Sequence, residues 1–214
     1  MNDNHDAADS AAAVANNDAA ATTHLLYLHG FRSSPRSAKA VRMARFVAER
    51  HPTITWWCPQ LPASPREALA LVMAGIAGWP AGRTAVVGSS LGGFYAACVS
   101  ARSGCRAALL NPAVAPARDL ARQVGEQPAW HAPGASIDFR AEYLDELRLL
   151  EAEVAHADPA RCLAVIATGD EVLDWREMAA RHHSATLRIV DGGNHALTDF
   201  EPHLVPIAAF LRLA

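Results

Sequence analysis

Short apolar runs and helix-length amphipathic segments alternate along most of this chain, which is the pattern of a parallel β-sheet covered by helices on both faces, an α/β three-layer sandwich. Six runs read as strands: HLLYLHG (24 to 30), TITWWCP (53 to 59), TAVVGSS (84 to 90), RAALLNPA (106 to 113), CLAVIATG (162 to 169) and TLRIVDGG (186 to 193). Between the first two, SSPRSAKAVRMARFVAER predicts a helix capped by Ser34, with Pro35 at its first position and Ala38, Val41, Met43 and Phe46 near one stripe. SPREALALVMAGIAGW opens in the same way with Ser64 and Pro65. A third helix runs through LGGFYAACVSARSG and stops at Gly104, whose missing side chain suits the left-handed turn that ends helices. The last segment places Phe200, Leu204, Ile207 and Leu211 on one face and should dock against the sheet.

Two stretches break the alternation. Residues 113 to 160 hold helical patches, RDLARQVG and AEYLDELRLLEAEVA, joined by EQPAWHAPGASID. An insertion of that length, with Trp130 and Phe139 in an otherwise Pro/Gly-rich loop, reads as a short helical cap over a site. Residues 1 to 23 are rich in Ala, Asn and Asp and read as a disordered tail, without the basic start of a secretory signal. The folded unit is therefore expected to be a single domain over residues 24 to 214.

Composition narrows the functions. A net charge of −3 leaves no basic excess to neutralise a phosphate backbone, so nucleic acid is excluded as a partner and a small molecule is favoured. Cys58, Cys98, Cys105 and Cys162 show neither a C-x-x-C pair nor a histidine at zinc-finger spacing, and read as reduced core residues in a cytoplasmic protein. No apolar run is long enough to span a bilayer.

The chemistry gathers at VVGSSLGG. Gly88-Ser89-Ser90-Leu91-Gly92 is G-x-S-x-G centred on Ser90, whereas Ser89 is flanked at the same spacing by Val87 and Leu91. A nucleophile on a sharp strand-to-helix turn leaves no room for side chains at the flanking positions, so the register selects Ser90. Gly93, Ala96 and Ala97 then let the following helix pack close to the sheet. A serine hydroxyl needs a base oriented by a carboxylate. The run AVIATGDEVLD ends a strand in Asp170, the favoured acid, with Glu171 and Asp174 as rivals; Asp174 also looks like a helix cap. GGNHALTDF offers His195 on a glycine-rich loop as the base, while His203 and His182-His183 lie in or at the end of helices and suit surface or helix-end roles. At the first strand end, His29-Gly30 leads into a loop that brings the N–H of Phe31 toward an oxyanion opposite that of Leu91, and His29 itself reads as structural.

With LYLHGFRSSPRSAKA, VVGSSLGGFYA, LLNPAV, TGDEVLD and GGNHALTDFE in place, the chain resembles an α/β-hydrolase, and within that fold the small bacterial YqiA-type esterase family. The resemblance implies a compact α/β-hydrolase fold that hydrolyses carboxylic esters or thioesters through Ser90, Asp170 and His195, with Phe31 and Leu91 as oxyanion donors and no metal or organic cofactor. Arg32, Phe94, Trp130 and Leu197 are expected near the substrate pocket. The rival readings are a thioesterase, which the same triad would serve, and a hydrolase-fold protein that binds acyl compounds without turning them over.

Overall fold

The computed structural model describes residues 20–130 and 134–214. Its strands are β1 (His24–Leu28), β2 (Thr55–Trp57), β3 (Thr84–Ser89), β4 (Arg106–Leu110), β5 (Gly125–Pro128), β6 (Ser136–Phe139), β7 (Cys162–Ala167) and β8 (Thr186–Val190). The helices are α1 (Ala38–Arg50), α2 (Pro65–Ile76), α3 (Leu91–Ser103), α4 (Pro116–Asp119), α5 (Glu142–Val154), α6 (Trp175–Arg181) and α7 (Glu201–Leu211). Six strands form one sheet in the order β2-β1-β3-β4-β7-β8, every neighbouring pair parallel. This is the parallel sheet covered by helices on both faces that the alternation predicts.

Successive strand residues point to opposite faces, and each face finds its own helical layer. Leu25 and Tyr27 of β1 join Val87 and Leu110 against Ala40, Met43 and Val47 of α1 and Ile207 and Leu211 of α7. Leu26 and Leu28 join Val86 and Leu109 against α2, α3 and α5. Burial of each such Leu or Val contributes about 1.5–3 kcal/mol, so two independent apolar clusters hold the sheet from both sides. Phe200, Leu204, Ile207 and Leu211 are all buried, as their spacing required.

Every strand stops short of its apolar run. The run at 24 to 30 ends as a strand at Leu28, and that at 186 to 193 ends at Val190. The residues cut off are the ones that peel away into loops at the C-terminal edge, where open α/β sheets place their binding sites. The opening of α1 also differs from expectation. Ser34 is buried and its hydroxyl accepts the N–H of Arg36 at 3.1 Å. That local turn competes with the helix, which starts at Ala38 behind Ser37. The buried stripe is accordingly Ala40, Met43 and Val47, while Val41 is 51% exposed. At α2 the reading holds in detail: the Ser64 hydroxyl accepts the N–H of Glu67 and Pro65 opens the helix.

The segment expected to be a helical cap is more mixed. Its first helical patch shrinks to α4 and a single 3₁₀ turn, and the joining loop contains an antiparallel ribbon of β5 and β6. Phe139 at the end of β6 is fully buried, edge-on to Phe31 with ring centroids 5.1 Å apart. Gly and Pro at both ends of the ribbon hide its two-residue period from the sequence. Helix α5 packs on α2 and α3 and completes the layer of that face. The expected tail lies outside the described residues up to 19, but its last part is held: buried Thr22 donates its hydroxyl to the carbonyl of Leu211 at 2.6 Å and its N–H to that of Arg212 at 2.8 Å.

Candidate active site

Ser90 occupies the turn between β3 and α3 with φ +58° and ψ −122°, a conformation that side chains other than glycine rarely adopt. Contacts on both sides impose it. A Cβ on Gly88 would lie 2.0 Å from the carbonyl oxygen of Gly92, and one on Gly92 would lie 2.1 Å from that of Leu28. The Ser90 N–H donates to the carbonyl of Leu110 at 2.9 Å, and its own carbonyl accepts from Gly93 and Ala113, which pins the turn between β4 and the first turn of α3. Ser89 remains in β3, buried and paired in register with Leu110.

The Ser90 hydroxyl lies 3.0 Å from Nε2 of His195, and Nδ1 of the same ring lies 2.7 Å from Oδ2 of Asp170. An ionised carboxylate only accepts, so Nδ1 carries the proton and Nε2 presents a lone pair to the serine. Oδ1 of Asp170 accepts the N–H groups of Val172 and Leu173, both at 2.8 Å. Its side chain has no exposure to solvent, while that of His195 keeps 18%. Burial pushes the Asp170 carboxyl up, but donation from the His195 ring and from the Leu173 and Val172 N–H groups outweighs it and holds the group below its ordinary range.

The two rival carboxylates do other things. Glu171 accepts the backbone N–H of His195 at 2.9 Å, which holds the loop and not the ring. Asp174 accepts the N–H of Arg176 and caps α6. His29 is buried, with Leu61 N–H donating to its Nε2 at 3.1 Å and its Nδ1 3.0 Å from the Gly30 carbonyl, so it fixes the loop before Phe31. His203 is buried as well and accepts from Nε of Arg188 at 3.1 Å, against the surface role expected of it. Burial and neighbouring Arg181 lower His182 to about 4, so it is neutral at pH 7 and carries no helix-end charge.

A cavity of about 490 Å³ opens over Ser90 and His195. Gly30, Phe31 and Leu91 line it beside the serine, and Pro116, Leu120 and Leu173 supply apolar wall. Arg32 and Trp130 are also on the wall, and they are engaged with each other: the Arg32 guanidinium lies 4.7 Å from the Trp130 ring centroid and Nε donates to the Pro128 carbonyl at 2.7 Å. Phe94 and Leu197 do not belong to this wall. Phe94 is 2% exposed and packs beside Tyr95 in the α3 and α5 core, and Leu197 is 2% exposed against α7 on the other face. Both are close to Ser90 or His195 in sequence, but the turns of their elements point them inward. Lys39, Asn111 and Leu173 went unread in the sequence; Asn111 stood in view in LLNPAV, with nothing local to mark its role. Among the described residues, no group of three or more His, Cys, Asp or Glu side chains could hold a metal ion, and no helix is long and apolar enough to cross a membrane.

Residues 24–212 match the model of the uncharacterised protein family UPF0227. The chain belongs to this family. UPF0227 proteins of Yersinia pseudotuberculosis and Yersinia pestis are each 28% identical to it over 192 residues, spanning 88% of this chain and 99% of theirs. The YqiA-type resemblance in the sequence names the same family. Solved structures show the fold of this UPF0227 member: a candidate hydrolase from Agrobacterium vitis superposes with TM-score 0.71 at 16% identity over 90% of this chain and 91% of its own. The esterase Est1E from Butyrivibrio proteoclasticus, with ferulic acid bound, gives 0.66 at 15% over 90% and 87%. Mouse α/β-hydrolase domain-containing protein 10 gives 0.65 at 14% over 90% and 91%.

Proposed function

We propose that this UPF0227 protein is a serine hydrolase that cleaves small acyl esters by way of an acyl-enzyme on Ser90. The observation that carries the reading is the continuous hydrogen-bonded chain from the Ser90 hydroxyl through both nitrogens of His195 to the buried carboxylate of Asp170. Ser90 Oγ attacks the acyl carbonyl while its proton passes to Nε2 of His195, and Asp170 stabilises the imidazolium and fixes its tautomer. The N–H groups of Phe31 and Leu91, on the cavity wall beside the serine, receive the oxyanion, each donor contributing about 3–4 kcal/mol to the barrier reduction. The tetrahedral intermediate expels the alcohol, which takes the proton from His195. Water then adds to the acyl-enzyme with His195 again as base and releases the acid. No step calls for a metal or organic cofactor. The apolar wall over Ser90 suits an acyl group, and the carboxylic ester is the reading favoured over a binding protein because the base is already set against the hydroxyl.

The test treats the purified protein with a fluorophosphonate and locates the adduct by peptide mass spectrometry, beside rates on matched oxygen and sulfur esters. An adduct on Ser90, lost in Ser90→Ala and kept in Ser89→Ala, is expected. Folded protein with no adduct and no turnover would defeat the proposal.

A further inference from the structure

Asn111 follows β4, has no solvent exposure and sits at φ +42°, a left-handed conformation that asparagine tolerates better than most residues. Both ends of its amide are used. Oδ1 accepts the N–H of Ala167, the last residue of β7, at 2.8 Å. Nδ2 donates to the carbonyls of Asn194 and His195 at 3.1 and 3.2 Å. Its own N–H donates to Val165 of β7 at 2.9 Å, and the residue before it, Leu110, accepts the N–H of Ser90.

One buried side chain therefore spans the strand end that leads to Asp170 and the loop that carries His195, from a backbone tied to Ser90. The position takes an acceptor and a donor on one short side chain. An aspartate would set a second acceptor against two carbonyls, and a leucine would leave the Ala167 N–H without this acceptor, at about 1–3 kcal/mol, and would release both loop carbonyls from the strand end. The same loop is also held by Lys39, whose Nζ donates to the carbonyls of His195 and Ala196 at 3.2 and 2.9 Å. Among the described residues, the wall of the cavity does not include Asn111.

We infer that Asn111 is a positioning residue: it sets the place of the His195 imidazole between Ser90 and Asp170 without touching substrate. The inference rests on the acyl-transfer reading given above. Displacement of a reacting group by about 1 Å costs on the order of 100-fold in rate, and a side chain that fixes the loop backbone controls displacements of that size.

Two substitutions separate positioning from bulk stability. Asn111→Gly accepts φ +42° and removes the amide. Asn111→Asp keeps shape, conformation and the acceptor for Ala167, but turns the donor into an acceptor until the introduced carboxyl is protonated. Steady-state kinetics on a p-nitrophenyl ester are measured for each in the wild-type and His195→Ala backgrounds. We expect Asn111→Gly to lower kcat about 10- to 100-fold with KM within about twofold, and to cost less than about twofold where His195 is already absent, because no imidazole remains to misplace. For Asn111→Asp the kcat ratio to wild type should rise as pH falls below 7. Lys39 keeps its charge there: burial lowers it to about 8, against the raising influence of Asp170 and Glu171.

Equal losses in both backgrounds, a loss carried by KM, or unchanged kcat in a folded variant overturns the inference. If Asn111→Gly fails to fold, the Asn111→Asp ratio decides alone, a rise toward acid supporting the inference and a flat ratio overturning it. Ser90→Ala and His195→Ala run in parallel. If they retain the wild-type rate, the acyl-transfer reading fails and the inference falls with it; if they lower the rate to a small residual and the Asn111 variants keep the wild-type kcat, the positioning inference alone falls.

Discussion

Replacing Gly92 by alanine is expected to damage stability and activity together, because this position is where α3 crosses the end of β1. A Cβ there would lie 2.1 Å from the carbonyl oxygen of Leu28 and 2.6 Å from that of His29, whereas ordinary contact starts near 3.4 Å. Helix and strand must therefore separate by about 1.3 Å at this point. Both contacts are main-chain atoms, so no side-chain rotation relieves them. Overpacking of movable side chains costs about 1–3 kcal/mol, and a rigid contact belongs at or above the top of that range. Alanine returns at most about 1 kcal/mol of helix propensity. The net loss is then at least about 2 kcal/mol, a fall of roughly 4–8 °C in Tm for a chain of this size. The same separation moves Ser90 and Leu91 away from Gly30 and Phe31, and kcat/KM should fall by about 100-fold. Thermal melting by circular dichroism and ester hydrolysis measure the two effects. Gly93→Ala, whose Cβ would meet Pro112 at 3.0 Å, should be intermediate, and Gly78→Ala, with nothing within 4 Å, should match wild type. A Gly92→Ala protein within about 1 °C and twofold of wild type would refute the reasoning.

Asp170→Asn should lower kcat by about 10²- to 10⁴-fold, and Glu171→Gln by far less, since Glu171 holds a backbone N–H; the reverse order in ester hydrolysis would reassign the acid. Because the Asp170 carboxyl is held below its ordinary range, its contribution to stability is present above that range and is lost as pH falls through the lowered value. Tm against pH should accordingly fall less steeply on the acid side in Asp170→Asn, and identical slopes would contradict the linkage. Thr22→Val removes the hydroxyl donor to Leu211 and should cost about 1 kcal/mol, or roughly 2–4 °C in Tm, and an unchanged Tm would show that this contact does not hold the N-terminal segment.

The parts legible in the chain are those written by local rules. Six apolar runs of strand length, each followed by a helical pattern, specify a parallel sheet, and the small residues around Ser90 specify a turn that other side chains could not enter. The placement of Asp170 and His195 after later strands was readable for the same reason, since parallel strands deliver their following loops to one edge. The ribbon of β5 and β6 was not readable, because its pairing depends on Phe139 burying itself against Phe31, more than a hundred residues away.

Pocket membership also escaped local reading. Phe94 and Leu197 follow the serine and the histidine in sequence, yet helix rotation and loop direction send both into the core, while Pro116, Leu120 and Leu173 arrive at the cavity from other segments. Asn111 is the sharpest case. Periodicity and glycine spacing are encoded by neighbours in the chain, so the sequence alone establishes the sheet and the turn that bears Ser90. The value of an amide that donates to Asn194 and His195 and accepts from Ala167 exists only once β4, β7 and the His195 loop are side by side, and tertiary packing alone decides that.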